Sequence, residues 1–218
     1  MASTLGVLVA GGAGSRLALG IPKALVRVGG VTLLERGIET LAAVCDRIIV
    51  TAPAGLALPL ADRARSPGRS CPIRRADDPA GTVGPLAGIV AGLSSGAFAR
   101  AVVLGVDLPF VVPATLEAML ARMSGHHAVV PAPGGFPQPL AAAYAPAAEP
   151  ILASCLAAGE RSPTRALGSL DVRMLDDVEL ALLPGGPGTF FNLNSPADLE
   201  QAARRLAVGK ASVGDAST

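Results

Sequence analysis

Residues 5–16 read LGVLVAGGAGSR, and Lys23 follows a few positions later. The apolar run that opens this segment is bounded by glycine and predicts a short buried strand. Three glycines in the next four positions predict a loop with little side-chain bulk, whose amide groups can approach phosphate oxygens closely. Glycines alone are equally typical of an empty strand-to-helix connection. Arg16 and Lys23 favour a polyphosphate ligand, because two cations beside a nest of amides would repel each other in an empty loop.

The glycine spacing excludes two common nucleotide-binding loops. Gly12 and Gly14 could begin the dinucleotide pattern G-x-G-x-x-G, but Leu17 stands where the third glycine belongs, and no G-K-S/T is present for a Walker loop. The pattern that remains is G-G-x-G-x-R followed by Pro22-Lys23. It resembles the signature loop of the nucleotidyltransferases with the nucleoside-diphospho-sugar transferase fold, which join a nucleoside triphosphate to a phosphorylated acceptor.

The chain is long enough to bury a sizeable core, since half of its 218 residues are hydrophobic. No Gly/Ser-rich or Pro-rich linker divides it. We therefore predict one domain over residues 1–207 and a flexible tail over residues 208–218, where small and polar residues predominate. The net charge of +1 provides no overall basic face, so we do not expect nucleic acid as a partner.

The cysteines and the N-terminus predict a cytoplasmic protein. Cys45, Cys71 and Cys155 are odd in number, far apart and without C-x-x-C spacing, which argues against a disulfide framework or a zinc site. No basic region precedes the first apolar run, and this run reaches a glycine loop too early for a signal peptide or a membrane span. We therefore expect no membrane association.

Strand and helix patterns alternate along the chain. Thr32 and Glu35 form a capping box at the start of a helix, and Pro85 and Pro113 open two more helices. Further strands are predicted at residues 48–50, 101–106, 128–130 and 140–144 and near residues 73 and 172. Further helices are predicted at residues 146–156, after residue 163 and from residue 196. Residues 53–72 are predicted to form an irregular surface excursion. This alternation predicts an α/β fold with three α/β/α layers and a doubly wound, mostly parallel sheet. In such a sheet ligands bind beyond the carboxyl ends of the strands.

Asp107 follows the apolar strand predicted at 101–106 directly, as the glycine loop follows the first strand. Both should therefore open onto the same rim of the sheet. A carboxylate within reach of a polyphosphate needs a bridging cation, and Mg²⁺ prefers a few carboxylates together with phosphate oxygens. The alternative is that Asp107 only caps the turn that follows its strand.

Six sequence blocks together resemble the molybdenum cofactor guanylyltransferases, the MobA-like nucleotidyltransferase family that joins the guanylyl part of GTP to molybdopterin. The blocks are Val9–Gly12 with Arg16 and Lys23, Asp77-Asp78 ahead of Gly84–Gly88, Asp107–Phe110, Gln138–Leu140, Gly159–Arg161 and Phe191–Leu199. They fall in order between about residues 5 and 200. The resemblance implies a Mg²⁺-dependent enzyme that transfers GMP and releases pyrophosphate.

The resemblance also implies roles for individual residues. Backbone groups of Val9, Ala10 and Gly11 would contact the guanine nucleotide, Lys23 would meet its phosphates, and Asp107 would hold Mg²⁺. The nucleotide site as a whole would comprise Val9, Ala10, Gly11, Gly12, Gly14, Arg16, Lys23, Asp77 or Asp78, Gly84 and Asp107, and Asn192 and Asn194 would face the acceptor. GTP and molybdopterin would be the substrates, and proteins of molybdoenzyme maturation would be partners.

Two sequence features bear on the choice among related enzymes. The family usually has Met-Gly after the arginine and an acidic residue before the lysine, whereas this chain has Leu17–Ile21 and then Pro22. A Pro-Lys pair is more typical of cytidylyltransferases and sugar-phosphate nucleotidyltransferases, which remain alternatives. These relatives commonly carry a late metal-binding carboxylate, and the matching position here is Asn194, which favours the guanylyltransferases. A nucleotide-binding domain without catalysis is a third alternative, against which Asp107 and Lys23 argue.

The predicted chemistry needs no covalent nucleophile. The acceptor phosphate attacks the α-phosphorus in line and pyrophosphate leaves, so Arg16, Lys23 and Asp107 act as catalytic residues by positioning reactants and stabilising charge. Because the acceptor phosphate is largely ionised near pH 7, no strong general base is required. His126-His127 is predicted to be a solvated turn. Glu160-Arg161 is either an exposed turn pair or, through Arg161, a contact for the acceptor anion.

Overall fold

The computed structural model describes residues 3–11, 20–66 and 69–214. The strands are β1 (Thr4–Val9), β2 (Arg27–Val28), β3 (Val31–Thr32), β4 (Arg47–Ala52), β5 (Arg63–Ser66), β6 (Arg69–Asp77), β7 (Arg100–Gly105), β8 (Ala128–Pro131), β9 (Ala141–Tyr144) and β10 (Val172–Leu175). The α-helices are α1 (Leu33–Ala42), α2 (Pro85–Leu93), α3 (Pro113–Leu120), α4 (Ala148–Ala157), α5 (Pro163–Ala166), α6 (Asp177–Ala181) and α7 (Pro196–Gly214).

Eight of these strands form one sheet in the order β10-β8-β9-β7-β1-β4-β6-β5. The central strand β1 is parallel to both of its neighbours, β4 and β7, and β4 is parallel to β6. Within this sheet β5 and β9 run antiparallel to the strands beside them, and β8 and β10 are parallel to each other. The mostly parallel, doubly wound sheet predicted from the sequence is therefore confirmed.

Helices cover both faces of the sheet and give the three predicted layers. On one face, Leu34 of α1 and Leu116 of α3 are buried in one apolar core. On the other face, Ile89 of α2 and Leu152 of α4 belong to a second core. The strand β1 supplies side chains alternately to both cores, because successive residues of a strand point to opposite faces. Among the helices of the described ranges, none combines the length and the apolar character that a membrane span requires.

The starts of α1 and α2 follow the chemistry read from the sequence. At the start of α1, the Thr32 hydroxyl accepts a hydrogen bond from the Glu35 N–H, and the Glu35 carboxylate accepts one from the Thr32 N–H. This reciprocal capping box satisfies two amides that no helical carbonyl can reach. Helix α2 begins at Pro85 directly after Gly84, whose φ of 101° favours glycine. Both helix starts were predicted correctly.

Glycines let α2 approach the central strands closely. A Cβ at Gly92 would overlap the Val7 side chain, and one at Gly88 would lie 2.9 Å from both Val9 Cγ1 and Thr51 Oγ1. Small residues at these two positions therefore set the distance between the helix and the sheet. Because α2 begins at the carboxyl end of the sheet, this close packing also fixes the position of its N-terminus at the rim.

The structure corrects the prediction for residues 53–72. Instead of forming an irregular excursion throughout, this segment contains β5, which pairs antiparallel with the first half of β6 and closes one edge of the sheet. The buried residue of β5 is Ala64, and Arg63 and Arg65 on either side of it are exposed. With one small apolar residue in four, the alternation of this strand is too weak to be recognised in the sequence.

The structure also contains elements that the sequence did not predict. The two-residue strands β2 and β3 form a small antiparallel hairpin after the rim loop, and the five-residue helix α6 follows β10. Helix α7 continues to Gly214, so the boundary predicted at residue 208 lies inside a helix. The flexibility of residues 208–218 stays a prediction.

Candidate functional site

Three loops meet at the carboxyl ends of the parallel strands β1, β6 and β7. Gly11 follows β1, Asp78 follows β6 and Asp107 follows β7. Backbone hydrogen bonds hold the strand ends in register, from Ala10 N–H to Thr51 C=O at 2.8 Å and from Val106 N–H to Val9 C=O at 3.2 Å. The described ends of these strands therefore lie side by side, as the sequence predicted.

Lys23 joins three parts of the chain at this rim. Its ammonium donates to Asp107 Oδ2 at 3.2 Å and to Asn194 Oδ1 at 2.7 Å, although these residues are 84 and 171 positions away in sequence. The Lys23 and Asp107 side chains are 14% and 21% exposed, so solvent screens the pair only partly. The carboxylate and the amide oxygen thus converge on a single positive charge.

Asn194 is held in place by the start of α7. The Asp198 carboxylate accepts hydrogen bonds from the N–H groups of Asn194 and Ser195, at 2.9 and 2.7 Å, and the Asp198 N–H donates to Ser195 Oγ at 3.2 Å. The hydrogen bond from the Asn194 backbone, followed by those from Ser195 and the charge of Lys23, lowers the pKa of Asp198 below its ordinary value. This capping arrangement fixes the backbone from which the Asn194 side chain reaches Lys23.

The structure distinguishes Asp77 from Asp78. Asp77 is exposed and pairs with Arg75 Nε at 2.7 Å. Asp78 turns inward, where a Cβ placed on Gly11 would lie 3.6 Å from its Oδ2 and a Cβ on Gly88 would lie 3.6 Å from its Oδ1. Between the loop and the first turn of α2, Asp78 is therefore the carboxylate that borders the predicted nucleotide site.

Asp78 Oδ1 and Thr51 Oγ1 are buried polar atoms without a hydrogen-bond partner among the residues that the structure describes. Burial, followed by the neighbouring Asp77 charge, raises the pKa of Asp78 above its ordinary value of 3.8, and Arg75 offsets this only in part. Unpaired buried oxygens cost free energy. Two such atoms beside the predicted phosphate-binding loop are typical of a surface that a bound molecule completes.

The remaining predicted residues lie around this rim or outside the described part. Val9 and Ala10 are buried, and Gly11 is the first partly exposed residue after the strand. Gly84 lies at the start of α2. Gly12, Gly14 and Arg16 fall outside the described residues. The Asn192 side chain donates to Gln138 Oε1 at 3.2 Å, which joins the predicted acceptor segment to the loop between β8 and β9.

Glu160 holds the turn before α5 rather than facing the rim. It accepts hydrogen bonds from Arg165 Nε and Nη2 and from the N–H groups of Arg161 and Ser162. The Arg165 hydrogen bond is the largest of the causes that lower the pKa of Glu160 to about 2. The Arg161 side chain donates to carbonyls of Leu156 and Glu160, and its own carbonyl lies beside Gly84. The turn is therefore internally bonded, and it borders the start of α2.

The two histidines contact the turn before β10. His126 Nδ1 lies 3.3 Å from Asp171 Oδ1, and His127 Nδ1 accepts a hydrogen bond from the Asp171 N–H at 3.1 Å. Neither belongs to the Lys23 cluster. The sequence also gave no signal for Thr51 at the rim or for Arg205, whose guanidinium lies over the rings of Phe110 and Phe191.

The donor atoms at the rim suit a hard cation but cannot complete its coordination alone. In the part of the chain that the structure describes, no group of three or more His, Cys, Asp or Glu side chains could hold a metal ion. Asp107 and Asn194 do present two oxygens to one cation, the Lys23 ammonium. Mg²⁺ commonly takes one or two protein oxygens together with phosphate and water oxygens, so these residues fit the predicted metal.

The fold and this rim define an α/β protein of the nucleotidyltransferase type. A family model described as the MobA-like NTP transferase domain matches residues 6–172, which is most of the chain. The chain belongs to this family. The family resemblance predicted from the six sequence blocks is therefore confirmed.

Relatives match over nearly the full length. The chain is 32% identical over 209 residues to a probable molybdenum cofactor guanylyltransferase of Natronomonas pharaonis, with 94% of this chain and 100% of that protein covered. It is 34% identical over 213 residues to a molybdenum cofactor guanylyltransferase of Sinorhizobium fredii, with 92% and 90% covered.

Solved structures show the same fold. The crystal structure of molybdopterin-guanine dinucleotide biosynthesis protein A from Archaeoglobus fulgidus has a TM-score of 0.73 and 26% identity, and the match covers 94% of this chain and 98% of that one. A 2-C-methyl-D-erythritol 4-phosphate cytidylyltransferase from Thermus thermophilus has a TM-score of 0.64 at 19% identity over the same shares of the two chains. The second match is a likeness of fold alone.

Proposed function

We propose that this protein transfers GMP from GTP to molybdopterin and releases pyrophosphate. The observation that carries the proposal is the contact of Lys23 with Asp107 and Asn194 beside the loop that begins at Gly11. Relatives of about 30% identity or more that share nearly the whole chain are named molybdenum cofactor guanylyltransferases, which supports the choice of nucleotide and acceptor.

The nucleotide would lie across the rim with its triphosphate along the glycine loop. Amides of the loop, together with Arg16, would take up phosphate charge, as phosphate-binding loops do generally. Lys23 would exchange its contacts with Asp107 and Asn194 for the phosphates, because its flexible stem carries a compact charge that can reorient. Asp78, whose Oδ1 has no partner among the described residues, would accept hydrogen bonds from donors of the nucleoside.

The acceptor would enter from the side of Asn192 and Asn194. Its phosphate is already an anionic nucleophile near neutral pH, so this chain needs only to hold it in line with the α-phosphorus. Lys23 and Arg16 would then stabilise the charge that builds on departing pyrophosphate. Asp107, with Asn194 nearby, would hold Mg²⁺, which supplies Lewis-acid stabilisation of phosphate charge when bound.

A cytidylyltransferase is the second candidate, and the Pro22-Lys23 pair is the observation that favours it. Its acceptor would also be a phosphate, so the two candidates differ in the base that the rim recognises. Cytoplasmic location and partner proteins of molybdoenzyme maturation stay predictions from the sequence.

The test is an assay of pyrophosphate release by the purified protein with Mg²⁺, molybdopterin and each nucleoside triphosphate in turn. We expect release with GTP and at most slow release with CTP, UTP or ATP. A chelator should abolish the reaction, and excess Mg²⁺ should restore it. Faster release with CTP would transfer the proposal to the cytidylyltransferases, and no release with any nucleotide would contradict catalysis.

A further inference from the structure

Two segments of the rim carry the residues around Lys23, and they are joined side by side. One runs from Asp107 to Phe110 and the other from Thr189 to Asn194. The Leu193 N–H donates to the Asp107 carbonyl at 2.9 Å, and Thr189 Oγ1 donates to the Phe110 carbonyl at 2.5 Å. These bonds place the segment that carries Asn194 directly against the segment that carries Asp107.

Aromatic side chains form the outer side of this junction. The rings of Phe110 and Phe191 have centroids 6.0 Å apart and planes inclined at 59°. Phe110 lies three residues after Asp107, and Phe191 immediately precedes Asn192. Movement of either ring would therefore be passed through a few backbone bonds to the residues that we propose bind the substrates.

Arg205 of α7 bridges the two segments. Its guanidinium carbon lies 4.5 Å from the ring centroid of Phe191 and 5.5 Å from that of Phe110, both within the range of a cation–π interaction. Its Nη1 also donates to the carbonyl of Gly188 at 3.2 Å. A planar cation can stack on aromatic faces and donate a hydrogen bond at the same time, which a lysine does less well.

We infer that Arg205 is a positioning residue for this site, which keeps the Asn192–Asn194 segment in register with Asp107 by holding Phe191 and Phe110 together. The inference rests on the proposed function for the identity of the substrates. The contacts of Arg205 with the two rings are present without any substrate. Arg205 is not among the residues bonded to Lys23, so it acts through the two rings rather than on the reacting atoms.

The neighbouring residue provides a matched control. Arg204 lies on the same helix, is exposed and pairs only loosely with Glu200 at 3.6 Å. Arg205→Met keeps a long unbranched side chain but removes the cation, Arg205→Lys keeps the charge without the planar group, and Arg204→Met repeats the change of charge away from the rings.

The wild type and the three variants are compared by kcat and KM for the acceptor in the pyrophosphate-release assay and by Tm without ligand. Their Kd is also measured for one nucleoside triphosphate, the one that raises the Tm of the wild type most in the presence of Mg²⁺. For Arg205→Met we expect the acceptor KM to rise about threefold to thirtyfold, the range that loss of a cation–π interaction allows, with a smaller rise in nucleotide Kd. We expect Arg205→Lys to recover part of this loss, and Arg204→Met to match the wild type. The ligand-free Tm should agree among all four within a few degrees.

Equal KM and Kd values for Arg205→Met and Arg204→Met would overturn the inference, as would equal losses in Arg205→Met and Arg205→Lys. A fall in ligand-free Tm that accounts for the whole loss of binding would also overturn it, because the role would then be general stability. A wild type that binds nucleotide but does not use molybdopterin would contradict the proposed function instead. In that case the nucleotide Kd values still decide whether Arg205 positions the rim.

Discussion

Lys23 is the residue that connects the loop after β1 with the two later segments of the rim. Replacement by Ala would remove the charge-assisted contact to phosphate that we propose, for which about 1.5 to 3 kcal/mol is typical. We expect Lys23→Ala to raise the nucleotide Kd about tenfold to a hundredfold in titration calorimetry with Mg²⁺. The ligand-free Tm should stay within a few degrees of the wild type, because Lys23 contributes little to the apolar core.

Arg204→Ala is the control for Lys23→Ala, since it removes an exposed charge that pairs with Glu200 and not with the residues around Lys23. It should leave the Kd unchanged. A Lys23→Ala protein with the wild-type Kd at physiological salt would show that Lys23 serves the ligand-free structure and not the nucleotide.

Asp107→Asn separates the role of the charge from that of the shape. We expect turnover to fall by about three orders of magnitude or more in the pyrophosphate assay at saturating Mg²⁺, because a bound cation supplies several kcal/mol of charge stabilisation. The free energy of unfolding should change by less than about 1 kcal/mol, since Asn keeps a hydrogen bond to Lys23 and the ion pair is partly exposed. Asp171→Asn is the control. Activity within about threefold of the wild type would mean that Asp107 only ends its strand.

The ionised Asp78 carboxylate should lower the free energy of unfolding of the ligand-free protein, and this effect should depend on pH. Because its folded-state pKa is raised above the ordinary value of 3.8, the folded protein binds the proton more tightly than the unfolded chain does. The protonated Asp78 carboxyl therefore contributes to the free energy of unfolding at low pH, and this contribution is lost as the pH rises from 3.8 through the pKa of Asp78 in the folded protein. We expect Asp78→Asn to gain stability relative to the wild type over that interval and to keep the gain at neutral pH.

The measurement for Asp78→Asn is urea unfolding of both proteins from pH 3 to pH 8. Asp77→Asn is the matched control, since Asp77 is exposed and paired with Arg75. A variant that is less stable than the wild type at pH 7 would contradict the assignment of Asp78 as a carboxylate whose Oδ1 is buried without a partner among the described residues. Weaker nucleotide binding by Asp78→Asn than by Asp77→Asn would favour Asp78 as the nucleoside contact.

At the scale of elements, the contact between α2 and β1 decides where the rim lies. A methyl group at Gly92 would overlap Val7 and lie 2.8 Å from its Cγ2, and the branched Val7 side chain has little freedom to move aside. We expect Gly92→Ala to lower the free energy of unfolding by about 1 to 3 kcal/mol in spite of the better helix propensity of alanine. Urea unfolding measures this difference.

Gly168→Ala is the matched control for Gly92→Ala, because a Cβ at Gly168 would meet no atom of the described residues within 4 Å and its φ is not positive. It should be close to neutral. If both variants unfold at the same urea concentration as the wild type, then α2 can move away from β1 without loss of stability. That result would contradict our conclusion that close packing fixes the N-terminus of α2 at the rim.

At the scale of the whole molecule, the nucleotide that binds the folded protein most tightly should raise its free energy of unfolding most. A ligand that binds only the folded state raises the free energy of unfolding by RT ln(1 + [L]/Kd). We expect GTP with Mg²⁺ to raise the Tm more than equal concentrations of CTP, UTP or ATP, because the relatives over the whole chain are named guanylyltransferases. Omission of Mg²⁺ should reduce the shift. A larger shift with CTP would contradict the choice of base.

The sequence by itself determined the class of fold and most of the residues of the rim. The features that were predicted depend on local sequence: the alternating strand and helix patterns, the glycine-rich loop after β1, and the cap of α1 and the proline of α2. Local chemistry can be read along the chain because a strand, a turn or a helix start depends on a few neighbouring residues. The edge strand β5 was missed for the same reason, since its short polar sequence has almost no apolar period of its own.

Only the tertiary structure decided which of these residues meet. Lys23 reaches Asn194 across 171 positions, and Arg205 of α7 reaches Phe110 in the segment that follows β7. Contacts between residues so far apart in sequence depend on how the elements pack and not on local sequence. Likewise, the sequence could not choose between Asp77 and Asp78. Neighbouring residues at the end of a strand point to opposite sides, and which side faces the glycine loop depends on how β6 and α2 pack.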